Sequence, residues 1–157
     1  MPTGSNLRRS DFVVDLMAAM RRHRVPAERL CLELAESVLT DPQLEDIGAV
    51  LDEVAATGVG IAIDNFGLGH SSLQRLRRMP VRCLKIDRTL VRTISSDPDC
   101  TAIVRASIGL GHGLGKLVLA EGVETEAQHA LLASLGCDRA QGYVYARPAS
   151  AASLRPY

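Results

Sequence analysis

Apolar residues recur along this chain with two periods. Short runs of alternating or continuous apolar residues at Leu30–Leu34, Val59–Ile63, Cys83–Ile86, Leu117–Ala120 and Gln141–Tyr145 predict strands. The stretches between them repeat every three or four residues and predict helices. Asp11 to His23 sets Phe12, Leu16 and Ala19 on one face. Asp41-Pro42 opens a second helix, with proline where no backbone donor is needed; Leu44, Ile47, Leu51, Val54 and Ala55 follow, and Gly58 stops it. Ser71 and Gln74 have capping-box spacing for a short helix ending before Pro80. Thr125 and Gln128 repeat that spacing ahead of Leu131, Leu132, Leu135 and the stop at Gly136. Pro98 to Leu114 aligns Ile103, Ser107, Leu110 and Leu114 on one stripe. Strand and helix thus alternate without a long polar linker, which predicts an α/β fold with about five parallel strands.

The two faces of each predicted strand differ in chemistry. Leu30, Leu32 and Leu34 oppose Cys31 and Glu33; Val59, Ile61 and Ile63 oppose Gly60, Ala62 and Asp64; Leu84 and Ile86 oppose Cys83, Lys85 and Asp87. The large apolar face suits a helix layer, and the opposite face carries small residues and then an ionisable group near the strand's end. Glu121 follows the fourth strand and Gln141 opens the fifth, so Glu33, Asp64, Lys85, Glu121 and Gln141 are able to converge on one rim. A single strand-end acid is commonly a helix cap or a surface charge, which does not explain five polar groups on successive strands. Clustered carboxylates suit a hard cation such as Mg²⁺ or Mn²⁺, and a lysine among them suits an anionic substrate or the charge of a phosphoryl transition state. Metal-assisted phosphodiester hydrolysis is the expected chemistry, with two metal ions activating water and stabilising the leaving oxygen.

Composition narrows the setting. At 157 residues, 46% hydrophobic and 23% charged, the chain has the material for one globular domain and is not a disordered segment. Eighteen basic residues balance eighteen acidic ones, which argues against a polynucleotide binder. The short basic cluster of Arg75, Arg77, Arg78 and Arg82 reads as a solvated helix end, with phosphate contacts as the alternative. Cys31, Cys83, Cys100 and Cys137 are widely spaced and read as reduced thiols. No apolar run approaches a membrane span and Met1 to Arg9 lacks a signal-peptide core, so a cytoplasmic location is expected.

At the rim residues the sequence resembles a known family. Glu33-Leu34-Ala35-Glu36-Ser37, Ile63-Asp64-Asn65-Phe66-Gly67-Leu68-Gly69-His70-Ser71-Ser72, Leu84-Lys85-Ile86-Asp87-Arg88, Ala120-Glu121-Gly122-Val123-Glu124-Thr125 and Gln141-Gly142-Tyr143 are similar to successive motifs of the EAL domain. That resemblance implies a TIM-type (β/α) barrel and the Mg²⁺- or Mn²⁺-dependent hydrolysis of the bacterial second messenger cyclic di-GMP to linear pGpG. It implies Glu33, Asp64 and Asn65 as metal ligands, Lys85 and Glu121 as catalytic groups, and Gln141, Asp87 and Glu124 as supporting or substrate residues. The segment carrying Phe66, Gly67, Gly69 and Ser71 resembles the family's flexible loop, which links metal binding to dimerisation, with Glu124 as its expected anchor.

The departures from the family pattern are also informative. Position 65 is Asn where the family usually carries a second Asp, so a second metal ion would lose a charged ligand. The Glu-Ala-Leu signature is absent, and Asn6-Leu7-Arg8 resembles the family's Asn-Leu-Ser strand only superficially. Eight β/α units take about 250 residues, so a chain of this length corresponds to about five. The expectation is a partial barrel lacking its N-terminal part, with residues 1–10 a remnant, 11–150 the incomplete domain and 151–157 a tail. Its open strands would favour a homo-oligomer, or association with the missing N-terminal portion. The alternative to an impaired phosphodiesterase is a catalytically inactive module that binds cyclic di-GMP or a protein partner.

Overall fold

Each strand pairs in parallel with the next in sequence, giving one five-stranded sheet in the order β1-β2-β3-β4-β5. The computed structural model describes residues 11–42, 44–69 and 72–150. The strands are β1 (Cys31–Ala35), β2 (Gly60–Phe66), β3 (Cys83–Ile86), β4 (Leu117–Glu121) and β5 (Arg139–Gln141). The helices are α1 (Phe12–His23), α2 (Leu44–Ala56), α3 (Leu73–Arg78), α4 (Arg88–Thr93), α5 (Pro98–Gly113) and α6 (Glu126–Ser134), with 3₁₀ turns at Ala27–Arg29 and Glu36–Thr40. A helix in every crossover, with the right-handed connection that parallel strands take, places the helical layer on one face of the sheet.

The core lies between that layer and the large-apolar face of the strands. Leu34, Ile61, Ile63 and Leu84 pack with Ile47, Leu51, Val54 and Leu76. Ile86, Val118 and Ala120 pack with Leu90, Val91, Val104, Ile108 and Leu132. α1 lies outside this core: none of its residues is buried, and Phe12, Leu16 and Met20 pack against it only in part. The four cysteines are free thiols. Burial, aided by the Cys31 charge, pushes the Cys83 thiol up to about 11, which keeps it protonated and unreactive near neutral pH.

Several boundaries differ from those expected. The fifth strand covers Arg139–Gln141 and does not continue to Tyr145. A turn begins at Gly142 because its Cα is pressed against the Val123 backbone, where a side chain would collide with Val123 O and N. Val144 N–H then donates to Val123 O and Tyr145 N–H to Gly142 O, closing the turn. α4 has no counterpart among the predicted helices, since six residues are too few to display a helical period; it is nucleated by Asp87, whose Oδ1 accepts from Thr89 N and Oγ1. α2 begins at Leu44 and not at Asp41-Pro42. α3 begins after Ser72, and Ser71 of the expected capping box lies outside the described residues, as does the Asn6-Leu7-Arg8 segment. The capping box at Thr125 and Gln128 is complete. Within the basic cluster, Arg75 is not a solvated helix end: its guanidinium donates to the carbonyls of Asp41 and Leu39 and ties α3 to the turn after β1.

Candidate active site

The small-residue face of the sheet brings together side chains from five successive strands. Lys85, on β3, extends its ammonium to Glu33 Oε1 of β1 at 2.5 Å, Glu121 Oε1 of β4 at 2.6 Å and Asp64 Oδ1 of β2 at 3.5 Å. Gln141 Nε2 of β5 donates to the same Glu121 oxygen at 2.8 Å. The parallel register accounts for this convergence. Lys85 faces Leu119 across the β3–β4 pair, Glu121 faces Gln141 across β4–β5, and each side chain sits at or near the carboxyl end of its strand.

Asp64 reaches the cluster through a local irregularity. Ile63 pairs with Leu84 but Phe66 with Ile86, so Asp64 and Asn65 together oppose Lys85 alone. That extra residue is a β-bulge, and Asn65 absorbs it in the left-handed region at φ 57°. Asn and Asp are the side chains that enter this region most readily after glycine. Asn65 is exposed, and its amide donates to Asp64 Oδ2 at 3.4 Å.

The electrostatics follow from three acids sharing one ammonium. Burial alone would pull the Lys85 amine down, but hydrogen bonds to Glu121 and Glu33, with the charges of Glu121 and Asp64, outweigh it and hold the group well above the ordinary lysine range. Burial pushes the Glu121 carboxyl up, and the nearby Asp64 charge adds to the rise while Lys85 opposes it. Asp64 is buried, and its Oδ1 has no hydrogen-bond partner although it lies within ion-pair range of Lys85. A carboxylate oxygen left in that state costs free energy unless something positive completes its shell.

The donor set fits a hard divalent cation. Glu33, Asp64 and Glu121 offer carboxylate oxygens, Asn65 an amide oxygen beside them, and the orphaned Asp64 oxygen lacks a hydrogen-bond partner. Among the described residues, however, no three His, Cys, Asp or Glu side chains already surround a metal-sized position. The carboxylates meet on the ammonium instead.

The remaining expected residues fall in different places. Asp87 is buried and uses one oxygen to cap α4. Glu124 lies three residues beyond β4; its N–H donates to Gln128 Oε1, and the residue lines an open cleft of about 590 Å³. That cleft, continuous with Glu121 and Gln141, is also bordered by Arg88, Tyr143 and Arg147, and the Arg147 guanidinium lies over the Tyr143 ring at 5.2 Å. In the loop, Phe66 is buried, and Gly67 at φ 101° leaves no room for a side chain beside Leu90. Gly69 N–H donates to Glu36 Oε2 at 3.0 Å, while Ser71 lies outside the described residues. The described part of the loop is held at Gly69 by Glu36, a buried acid just past β1, while Glu124 lines the cleft. Sequence reasoning missed Glu36 as a loop contact because it sits 33 residues away in the chain.

Known proteins share this fold. The family model of the EAL domain matches residues 2–148. The bifunctional diguanylate cyclase/cyclic di-GMP phosphodiesterase MucR of Pseudomonas aeruginosa is 43% identical over 139 residues, 87% of this chain and 20% of that protein. The solved structure of the MucR phosphodiesterase in complex with cyclic di-GMP superposes with a TM-score of 0.88 at 38% identity, covering 96% of this chain and 61% of that one. A manganese/cyclic di-GMP complex of Klebsiella pneumoniae BlrP1 superposes with a TM-score of 0.82 at 33% identity, covering 92% of this chain and 37% of that one. The chain thus spans only part of the proteins it resembles.

Proposed function

We propose, since this chain belongs to the EAL domain family, that its site binds cyclic di-GMP and hydrolyses one phosphodiester bond to give linear pGpG. The observation that carries the reading is the convergence of Glu33, Asp64 and Glu121 on Lys85, with Gln141 behind Glu121; Glu121 and Gln141 in turn line a cleft bordered by arginines and a tyrosine. Arg88 and Arg147 suit phosphate oxygens, and Tyr143 offers a face for a purine. Glu33, Asp64 and Asn65 would hold Mg²⁺ or Mn²⁺, which when bound supplies charge neutralisation at the phosphate and activation of water. Glu121 takes a proton from the attacking water; its raised affinity for protons suits it to that role. The water oxygen forms a bond to phosphorus, the P–O3′ bond breaks, the departing 3′ oxygen takes up a proton from solvent, and Glu121 returns its own proton to solvent. Lys85 offsets the charge gathering on the phosphoryl oxygens, and Gln141 fixes the rotamer of Glu121.

Residues 11–150 act as the domain in this reading, with 1–10 and 151–157 as flanking segments and a cytoplasmic location. No helix among the described residues is long and apolar enough to cross a membrane. The open edges at β1 and β5 favour association with a second copy or with further barrel strands. The test is direct: the purified chain is incubated with cyclic di-GMP and Mg²⁺ or Mn²⁺, and the linear dinucleotide is sought chromatographically. Turnover lost in Glu33→Ala and Lys85→Ala supports hydrolysis. Asn65, a neutral group at an expected ligand position, favours a second reading in which the site binds cyclic di-GMP without turning it over. Calorimetric binding without product formation would establish that reading.

A further inference from the structure

The position where the site's acids meet is filled by one of the protein's own cations. Lys85 Nζ touches Glu33 Oε1 and Glu121 Oε1 and lies in ion-pair range of the orphaned Asp64 Oδ1, with only 8% of its side chain exposed. A divalent ion that shares Glu33 Oε1 or Asp64 Oδ1 with the ammonium would set two positive centres on one carboxylate oxygen, and beside Asp64, whose side chain is 8% exposed, they repel strongly. The lysine has an alternative resting place. Glu121 and Gln141 sit on the cleft side of the cluster, and a four-carbon stem lets the ammonium swing without moving β3.

We propose that Lys85 is a displaceable internal counter-ion: it neutralises Glu33 and Asp64 while the site lacks a divalent cation, and yields those two carboxylates when one binds, keeping its hold on Glu121 alone. The site thus exchanges one cation for another, so the acids are never left facing one another unscreened. Ejection of the ammonium toward the cleft delivers positive charge where an anionic phosphodiester would lie, coupling metal entry to substrate binding. This inference rests on the reading of Glu33 and Asp64 as ligands of a divalent cation.

The experiment is a calorimetric titration of the full, chelator-stripped chain with Mn²⁺ and with Mg²⁺, comparing wild type, Lys85→Met and Glu33→Gln. Competition predicts that Lys85→Met binds Mn²⁺ at least about tenfold more tightly than wild type, and that Glu33→Gln loses binding. In parallel, the side-chain ammonium signal of Lys85, observed by ¹⁵N NMR and assigned by its absence from Lys85→Arg, shifts on saturation of the wild type with diamagnetic Mg²⁺. Equal or weaker Mn²⁺ binding by a folded Lys85→Met overturns the exchange while leaving the metal site standing. So does a Lys85 signal unmoved at calorimetric saturation, which decides the matter alone if Lys85→Met fails to fold. Absence of binding in both folded wild type and Lys85→Met overturns the metal reading and the exchange together.

Discussion

Replacing Asp64 by asparagine should stabilise this protein in the absence of divalent cations. Asp64 is buried on β2, and its Oδ1 has an ion-pair neighbour at 3.5 Å but no hydrogen bond. At an effective dielectric constant of about 20, the attraction to Lys85 at that distance is about 5 kcal/mol. Glu33 and Glu121 touch the same nitrogen at 2.5 and 2.6 Å, so each lies within about 6 Å of Asp64 and repels it by about 3 kcal/mol or more. Repulsion therefore exceeds attraction by about 1 kcal/mol, and the missing hydrogen bond adds to the deficit. The amide in Asp64→Asn would keep the shape of the side chain and its contact with Asn65 while removing the charge. The expected gain of about 1 kcal/mol corresponds to a rise of roughly 2–4 °C in the unfolding midpoint of a domain this size. Urea unfolding of chelator-treated wild type and Asp64→Asn measures it, and a repeat in millimolar Mg²⁺ or Mn²⁺ should reverse the order because only wild type gains from the ion. If Asp64→Asn is less stable than wild type without metal, by about 1 kcal/mol or more, the carboxylate is held favourably by Lys85 and the reasoning is refuted.

Four further outcomes are expected. Glu121→Gln preserves an acceptor for Gln141 and Lys85 but cannot take a proton, so cyclic di-GMP hydrolysis should fall by about 10²- to 10⁴-fold with the fold intact by circular dichroism. Asn65→Asp keeps a residue type that tolerates the left-handed backbone but replaces the donor to Asp64 Oδ2 by a like charge, so without metal the protein should lose about 1 kcal/mol or more in urea titration; its calorimetric affinity for Mn²⁺ should rise. Gly142→Ala would drive a methyl group into the Val123 backbone, destabilising the protein by at least about 2 kcal/mol in urea titration and weakening cyclic di-GMP binding through displaced Gln141. Lys116 is buried with its ammonium on the carbonyls of Val81 and Met79, and burial pulls its pKa down. The folded state therefore releases this proton before the unfolded chain does, so Lys116 contributes a rise in stability with pH from its lowered value up to about 10.5, while the raised Cys83 thiol contributes a fall above about 9. Unfolding free energies measured across that interval should show the stability of wild type relative to Lys116→Met increasing with pH.

Much of the fold was legible because a parallel sheet repeats one simple pattern. The apolar parity of Leu34, Ile61, Ile63, Leu84 and Ile86 marks the face that the helices cover, and those residues form the core. The boundaries that escaped depend on contacts between distant segments. The end of β5 is set by the backbone of Val123 against Gly142, and a strand-like run from Gln141 to Tyr145 carries no trace of that collision. α4 depends on Asp87 turning back to cap it, whereas strand parity alone points Asp87 at the site. The hold of Glu36 on Gly69 likewise joins two loops whose nearness follows only from the pairing of β1 with β2.

The bulge in β2 connects these levels. A regular strand alternates its side chains, so two consecutive residues cannot both serve one face. Pairing Ile63 with Leu84 and Phe66 with Ile86 gives β2 one residue more than its neighbour, and Asn65 takes the left-handed conformation that this excess demands. Glycine would satisfy the backbone there but place no polar side chain beside Asp64, and a branched side chain would be strained. Aspartate and asparagine meet both requirements, so the choice between them alters charge at the site without altering its shape. The same bulge places Asp64 where its oxygen lacks a hydrogen bond and meets two other acids, an arrangement that costs stability. That cost is offset only by positive charge. Lys85, rooted in the central strand of the sheet and within ion-pair range of all three carboxylates, is the group placed to provide it.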